Sequence, residues 1–114
     1  MALYYNLAKV YEISENDTDF ALQIVTLFLE EVPLEIKFIK NLIEEKDYIR
    51  THAACHKINP TLDLLGMDIA YEENLQILNW AKTEGKRKEI KEVYKSLKEH
   101  IDLASKEIKK DFKL

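Results

Sequence analysis

Apolar residues recur at three- and four-residue spacing along almost the whole chain, the period of helices buried on one face. The clearest stripe is the last: Ile90, Val93, Tyr94, Leu97, Ile101, Ala104 and Ile108, with Lys and Glu filling the other face. A short first helix is predicted over residues 7–13. The polar cluster at residues 14–18 supplies N-caps for a second helix, which begins near Thr18 or Asp19 and runs to Glu44 or Glu45. Asp47 is the expected N-cap of the third helix and Gly66 the residue that ends it. The fourth starts after Met67, with Asp68 as a candidate cap, passes through Tyr71, Leu75, Leu78 and Ala81, and ends near Thr83. Glu84 and Gly85 make the turn into the fifth. Breaks this short place successive helices antiparallel. The predicted fold is all-α: an antiparallel up-down four-helix bundle with a short additional N-terminal helix, one domain over residues 1–114.

The second helix has two apolar stripes. Phe20, Ile24, Leu27, Leu34, Phe38 and Leu42 form one; Ala21, Val25, Leu29, Val32, Ile36 and Ile43 form the other. Such a helix is either central in the bundle or open to a partner along part of its length. Pro33 lies inside it and should kink or interrupt it, because proline removes one backbone hydrogen bond. Pro60 lies inside the third helix, where a bend is expected.

Composition supports the helical reading. Two glycines and two prolines are too few for the turns of an all-β fold. A chain of 114 residues can bury a usable core without disulfides, and the single cysteine, Cys55, permits none within the chain. No apolar run approaches the ~20 residues of a membrane span. The first residues lack the basic and apolar regions of a signal peptide, so a cytoplasmic protein is expected. Net charge is −4 but uneven: residues 1–85 carry 7 basic and 15 acidic side chains, residues 86–114 carry 10 basic and 6 acidic. The basic residues alternate with acids along one amphipathic helix, which reads as a solvated face rather than a nucleic-acid surface.

The candidate chemistry lies in the third helix. With Ile58 as the centre of its apolar face, Thr51, Ala54, Leu62 and Leu65 fall within about 40° at ~100° per residue. Cys55 and Thr61 sit at the edges. Ile49, Ala53, His56, Pro60 and Asp63 fall on the far side. His56 therefore projects outward, with compact Ala53 one turn before it and compact Pro60 one turn after. Imidazole titrates in the neutral range, so one ring nitrogen is an available nucleophile at cellular pH. Nε2, projecting furthest from the backbone, is the expected attacking atom.

These residues resemble the histidine-containing phosphotransfer domains of multistep phosphorelays. The matching run is Ala53-Ala54-Cys55-His56-Lys57-Ile58-Asn59-Pro60-Thr61, followed by Leu64-Leu65-Gly66. Upstream, Phe28-Leu29-Glu30-Glu31-Val32-Pro33 looks like a segment of the family's long second helix. The likeness extends over residues 4–112 in helix order as well as motif. It implies that His56 is phosphorylated, with Lys57, Asn59 and Pro60 as neighbours of the phosphoryl group and Ile49, His52, Ala53, Asp63 and Leu64 in the docking face. It implies receiver domains of hybrid sensor histidine kinases and response regulators as partners, a monomer, and no cofactor of its own, the Mg²⁺ belonging to the receiver. The chain departs from the pattern twice, with Asn59 where the family has lysine and Pro60 where it has glycine. Proline keeps the turn compact. Asn59 removes a charge-assisted contact worth about 1–3 kcal/mol, which suits slower transfer, altered partner choice, or a module that docks without transfer.

Other chemistry finds less support. His52 and His56 are one turn apart, as zinc ligands can be, but Cys55 points towards the core edge and the three do not converge, so no metal site is expected. Cys55 reads as a small half-buried hydrophobe, His100 as ordinary surface, and Trp80 and the six tyrosines as packing residues. Asp63, about two turns after His56, is placed either to orient the ring through water or as plain surface charge, and surface charge is the favoured reading. The spacing gives no paired-carboxylate cleft, Gly-rich phosphate loop or nucleophile–base pair.

Overall fold

The structure, a computed structural model, describes residues 2–114. Five helices follow one another: α1 (Ala8–Ser14), α2 (Thr18–Glu44), α3 (Tyr48–Leu64), α4 (Asp68–Lys82) and α5 (Arg87–Phe112). No strand is present among the described residues. α2 packs on α3, α3 on α4, α4 on α5 and α5 back on α2, so the four long helices close around one core, and α1 lies against α2. The longest dimension is 43 Å, close to the ~40 Å that the 27 residues of α2 span at 1.5 Å each.

The helix ends are built by local chemistry. The Asp17 carboxylate accepts the N–H groups of Asp19 and Phe20 at the start of α2 (3.0 and 3.1 Å), and Asp47 accepts that of Arg50 at the start of α3 (3.1 Å). Asp68, by contrast, is the first helical residue of α4; the cap position belongs to Met67, whose side chain supplies no hydrogen bond. There the Asp68 charge favours the positive end of the helix dipole instead. α1 is displaced one residue from its expected bounds.

Gly66 ends α3 with φ +61°, where a Cβ would lie 2.7 Å from Asn6 Cβ. The Asn6 N–H donates to the Leu65 carbonyl at 2.7 Å, so the N-terminal segment crosses directly over this turn. Its other anchors are the Glu107 carboxylate, which accepts the Leu3 and Tyr4 N–H groups, and Asp111, which accepts the Tyr5 hydroxyl at 2.6 Å.

Neither proline interrupts its helix. α2 runs unbroken through Pro33 and α3 through Pro60. Packing of the apolar faces outweighs the one backbone hydrogen bond lost at each.

The two stripes of α2 have different fates. Ala21, Val25, Val32, Ile36 and Ile43 are buried. Phe28 and Ile39, which fall between the stripes, are fully buried and mark the centre of the core face, and Leu42 is buried too. Leu27, Leu34 and Phe38 stay exposed, Leu34 at 66%.

Candidate functional site

The outer side of α3 carries His56. Thr51, Ala54, Ile58 and Leu62 are buried beneath it, while Ile49, Ala53, His56, Pro60 and Asp63 are all exposed. Among the described residues the His56 ring takes part in no hydrogen bond or ion pair; its aromatic neighbour is His52, edge-on, with ring centroids 6.3 Å apart. Pro60 has a further consequence for this turn. It is the residue four after His56 and has no N–H, so the His56 carbonyl lacks its regular i+4 hydrogen bond.

The charged and polar neighbours are committed elsewhere. Lys57 Nζ reaches Glu35 of α2 at 3.3 Å, across the α2–α3 seam. Asp63 binds Lys9 of α1 at 2.7 Å, which holds the lysine above its ordinary pKa through that hydrogen bond. Asp63 is thus half of a surface ion pair and does not orient the histidine.

Asn59 is drawn towards α4 instead of standing beside His56. Its Oδ1 accepts from Nδ2 of Asn74 at 3.1 Å, and the same Asn74 nitrogen donates to the Cys55 carbonyl at 2.8 Å. The Cys55 carbonyl demands a donor, which fixes the orientation of the Asn74 amide and hence that of Asn59. Asn74 is fully buried, and its Oδ1 has no partner. The sequence held the signal for this clamp: Ala70, Asn74, Ile77 and Ala81 share one face of α4, so an amide occupies a core position. Glu35 was missed because nothing within α2 marks one glutamate among several as the partner of Lys57.

The remaining expected docking residues separate. Ile49 is 85% exposed. His52 is half-buried and lines an open groove with Tyr48, Ile49, Lys82 and Glu84, one turn before His56. Leu64 is half-buried and packs on the core, so it offers less surface than expected.

The α2 residues beside Glu35 complete this face. By helical angle, Phe38, Leu27 and Leu34 lie about 60°, 80° and 100° from Glu35, on the outer surface of α2. An exposed apolar strip therefore runs along α2, the helix that meets α3 through Glu35 and Lys57.

Cys55 is fully rather than half buried, and burial pushes its thiol up to about 12, which keeps it protonated and unreactive. It faces the core while His56 faces out. No group of three or more metal-binding side chains occurs among the described residues.

His100 differs most from expectation. It is half-buried, and its Nδ1 lies 2.8 Å from Glu73, a buried carboxylate that also accepts the Ser96 hydroxyl. Glu73 sits between serine and histidine and bonds each separately, so the trio ties α4 to α5 rather than forming a nucleophile–base relay. The larger aromatics pack, as expected: Trp80 Nε1 donates to the Lys86 carbonyl and the Tyr94 hydroxyl to that of Ile36, both at 2.8 Å.

No family model, curated protein or solved structure matches the chain. No helix of the described residues is long and apolar enough to cross a membrane.

Proposed function

We propose that this protein is a phosphorelay intermediate: His56 accepts a phosphoryl group from a receiver-domain aspartate and passes it to a second receiver. The observation that carries the reading is the exposed, unpartnered His56 ring on a well-packed helix, between compact Ala53 and Pro60. The Nε2 lone pair attacks phosphorus, the N–P bond forms, and the P–O bond to the aspartyl carboxylate breaks with its electron pair returning to the carboxylate. The ring proton stays on Nδ1. Because the transition state is loose, the work is positioning and charge neutralisation. This chain supplies a fixed nucleophile, and the receiver supplies its Mg²⁺. The exposed strip of Leu27, Leu34 and Phe38 on the neighbouring helix α2 gives such a partner an apolar footing. The same reading places the helices in an antiparallel up-down bundle, the domain in the cytoplasm as a monomer, and the chemistry in the partner as much as here. The protein is then a carrier rather than an enzyme.

A second reading, docking without transfer, is favoured by one observation. Lys57 is engaged by Glu35 and Asn59 by Asn74, so no charged side chain of the His56 turn is directed at a phosphoryl group. A transfer assay against a panel of phosphorylated receivers separates the two. Rapid loss of label from a receiver to this chain supports the relay. Binding without loss of label supports docking alone. Asn59→Lys is expected to transfer faster or to more partners.

A further inference from the structure

α2 carries a second surface on the side turned away from His56. A groove of about 690 Å³ follows the seam between α2 and α5. Lys40 and Glu44 of its wall lie about 140° and 180° around α2 from Glu35, the residue that faces α3. Five exposed basic side chains line it: Lys40 from α2, and Arg87, Lys88, Lys91 and Lys95 from α5. Two acids, Glu44 and Glu92, share the wall, and the buried side chains of Ile43 and Tyr94 give it an apolar floor. Among the described residues none of the four lysines forms an ion pair, whereas just beyond the groove Lys98 is closed onto Asp102 at 2.8 Å. Arg87 donates to a backbone carbonyl, that of Glu44, at 3.3 Å. In a chain of net charge −4 this gathering of positive charge is not a by-product of basic composition.

We propose that this groove docks an acidic, amphipathic helical segment of a partner protein. Arg87, Lys91 and Lys95 stand at i, i+4 and i+8 on α5, rungs about 6 Å apart over about 12 Å. A helix with carboxylates at the same spacing meets them rung for rung, and its adjacent apolar positions fall on Ile43 and Tyr94. A nucleic-acid strand fits less well. The cationic track is short, and the acidic remainder of the chain repels an extended polyanion. A small polyphosphate would use the cations but leave the apolar floor idle. The groove follows the α2–α5 seam while His56 stands on α3, so the proposal does not depend on phosphotransfer.

The test uses the full chain, labelled with ¹⁵N, and four additives. They are a synthetic helical peptide with glutamates at i, i+4 and i+8 beside a leucine face, a scrambled peptide of equal charge, a single-stranded oligonucleotide, and inorganic tripolyphosphate. The ordered peptide is expected to shift the amide signals of Lys40, Arg87, Lys91 and Lys95 and to leave those around His56 unchanged. Charge reversal by K91E with K95E is expected to weaken binding about tenfold or more. The neutral pair Lys91→Gln with Lys95→Gln should weaken it less, in exposed positions that leave the fold intact. Absence of shifts at these residues overturns the proposal. So does equal binding of the scrambled peptide, or a stronger response at the same residues to the oligonucleotide or to tripolyphosphate.

Discussion

Replacing Pro60 by alanine should make the protein more stable. Pro60 sits within the unbroken α3, and its side chain is exposed, so little packing is lost with the ring. An alanine at this position supplies the N–H that the His56 carbonyl lacks and removes the ring's clash with that carbonyl. Proline in a helix interior is about 3 kcal/mol less favourable than alanine. Losing proline's restraint on the unfolded chain returns about 0.4–1 kcal/mol of that. The net expectation is a gain of about 2 kcal/mol, or roughly 8 °C in Tm for a domain of this size. Urea denaturation followed by circular dichroism measures it, with an unchanged slope showing that the unfolded state has not altered. Pro60→Ala also stays compact, so access to His56 and the rate of phosphoryl acceptance should persist. Pro60→Phe should keep much of the stability gain yet shade the ring and slow acceptance at least tenfold. A Pro60→Ala protein no more stable than the parent would refute the reasoning: the carbonyl would then already be satisfied, or the helix already adapted to the proline.

Asn74→Leu should lie within about 1 kcal/mol of the parent, because the donor lost to the Cys55 carbonyl and to Asn59 is offset by replacing an unpartnered buried oxygen with apolar packing; Asn74→Asp, placing a carboxylate against the Cys55 carbonyl, should be strongly destabilising, and equal stabilities of the two in urea would show the clamp to be absent. His100→Ala should cost about 1–3 kcal/mol in the same assay by stripping one partner from the buried Glu73 carboxylate. Stability should fall as pH rises above about 9. The Cys55 thiol and the Tyr94 hydroxyl are both raised by burial, each to about 12, so the folded state holds protons that the unfolded chain has already released. The decline should approach about 1.4 kcal/mol per pH unit for each group, and Cys55→Ala should move its onset up by about one unit; a flat profile to pH 11 would contradict the burial of both.

What the sequence disclosed follows helical geometry. The angular positions of Ile58, Leu62 and Thr51 against His56, Ala53 and Asp63 depend only on a fixed rotation per residue, and all fall as expected in α3. The cap at Asp47 and the turn at Gly66 depend on local backbone chemistry and were equally legible, while the cluster at residues 14–18 marked the start of α2 without singling out Asp17. What escaped lies between helices. Lys57 with Glu35, Asn59 with Asn74 and His100 with Glu73 are set by which helix lies beside which and at what register, and a periodic pattern carries no register between elements. α2 misled for another reason. Its buried face is wide, so two stripes drawn through the sequence left Phe28 and Ile39, at its centre, in neither.

The central claim is tested most directly by locating the phosphate after this protein meets a phosphorylated receiver and the two are separated. One acid-labile, base-stable phosphoryl group per chain is expected, on His56 Nε2 by ³¹P resonance and peptide mapping, lost in His56→Ala and retained in His52→Ala. Label that survives in His56→Ala, or a chain that never acquires label from any receiver it binds, would contradict it.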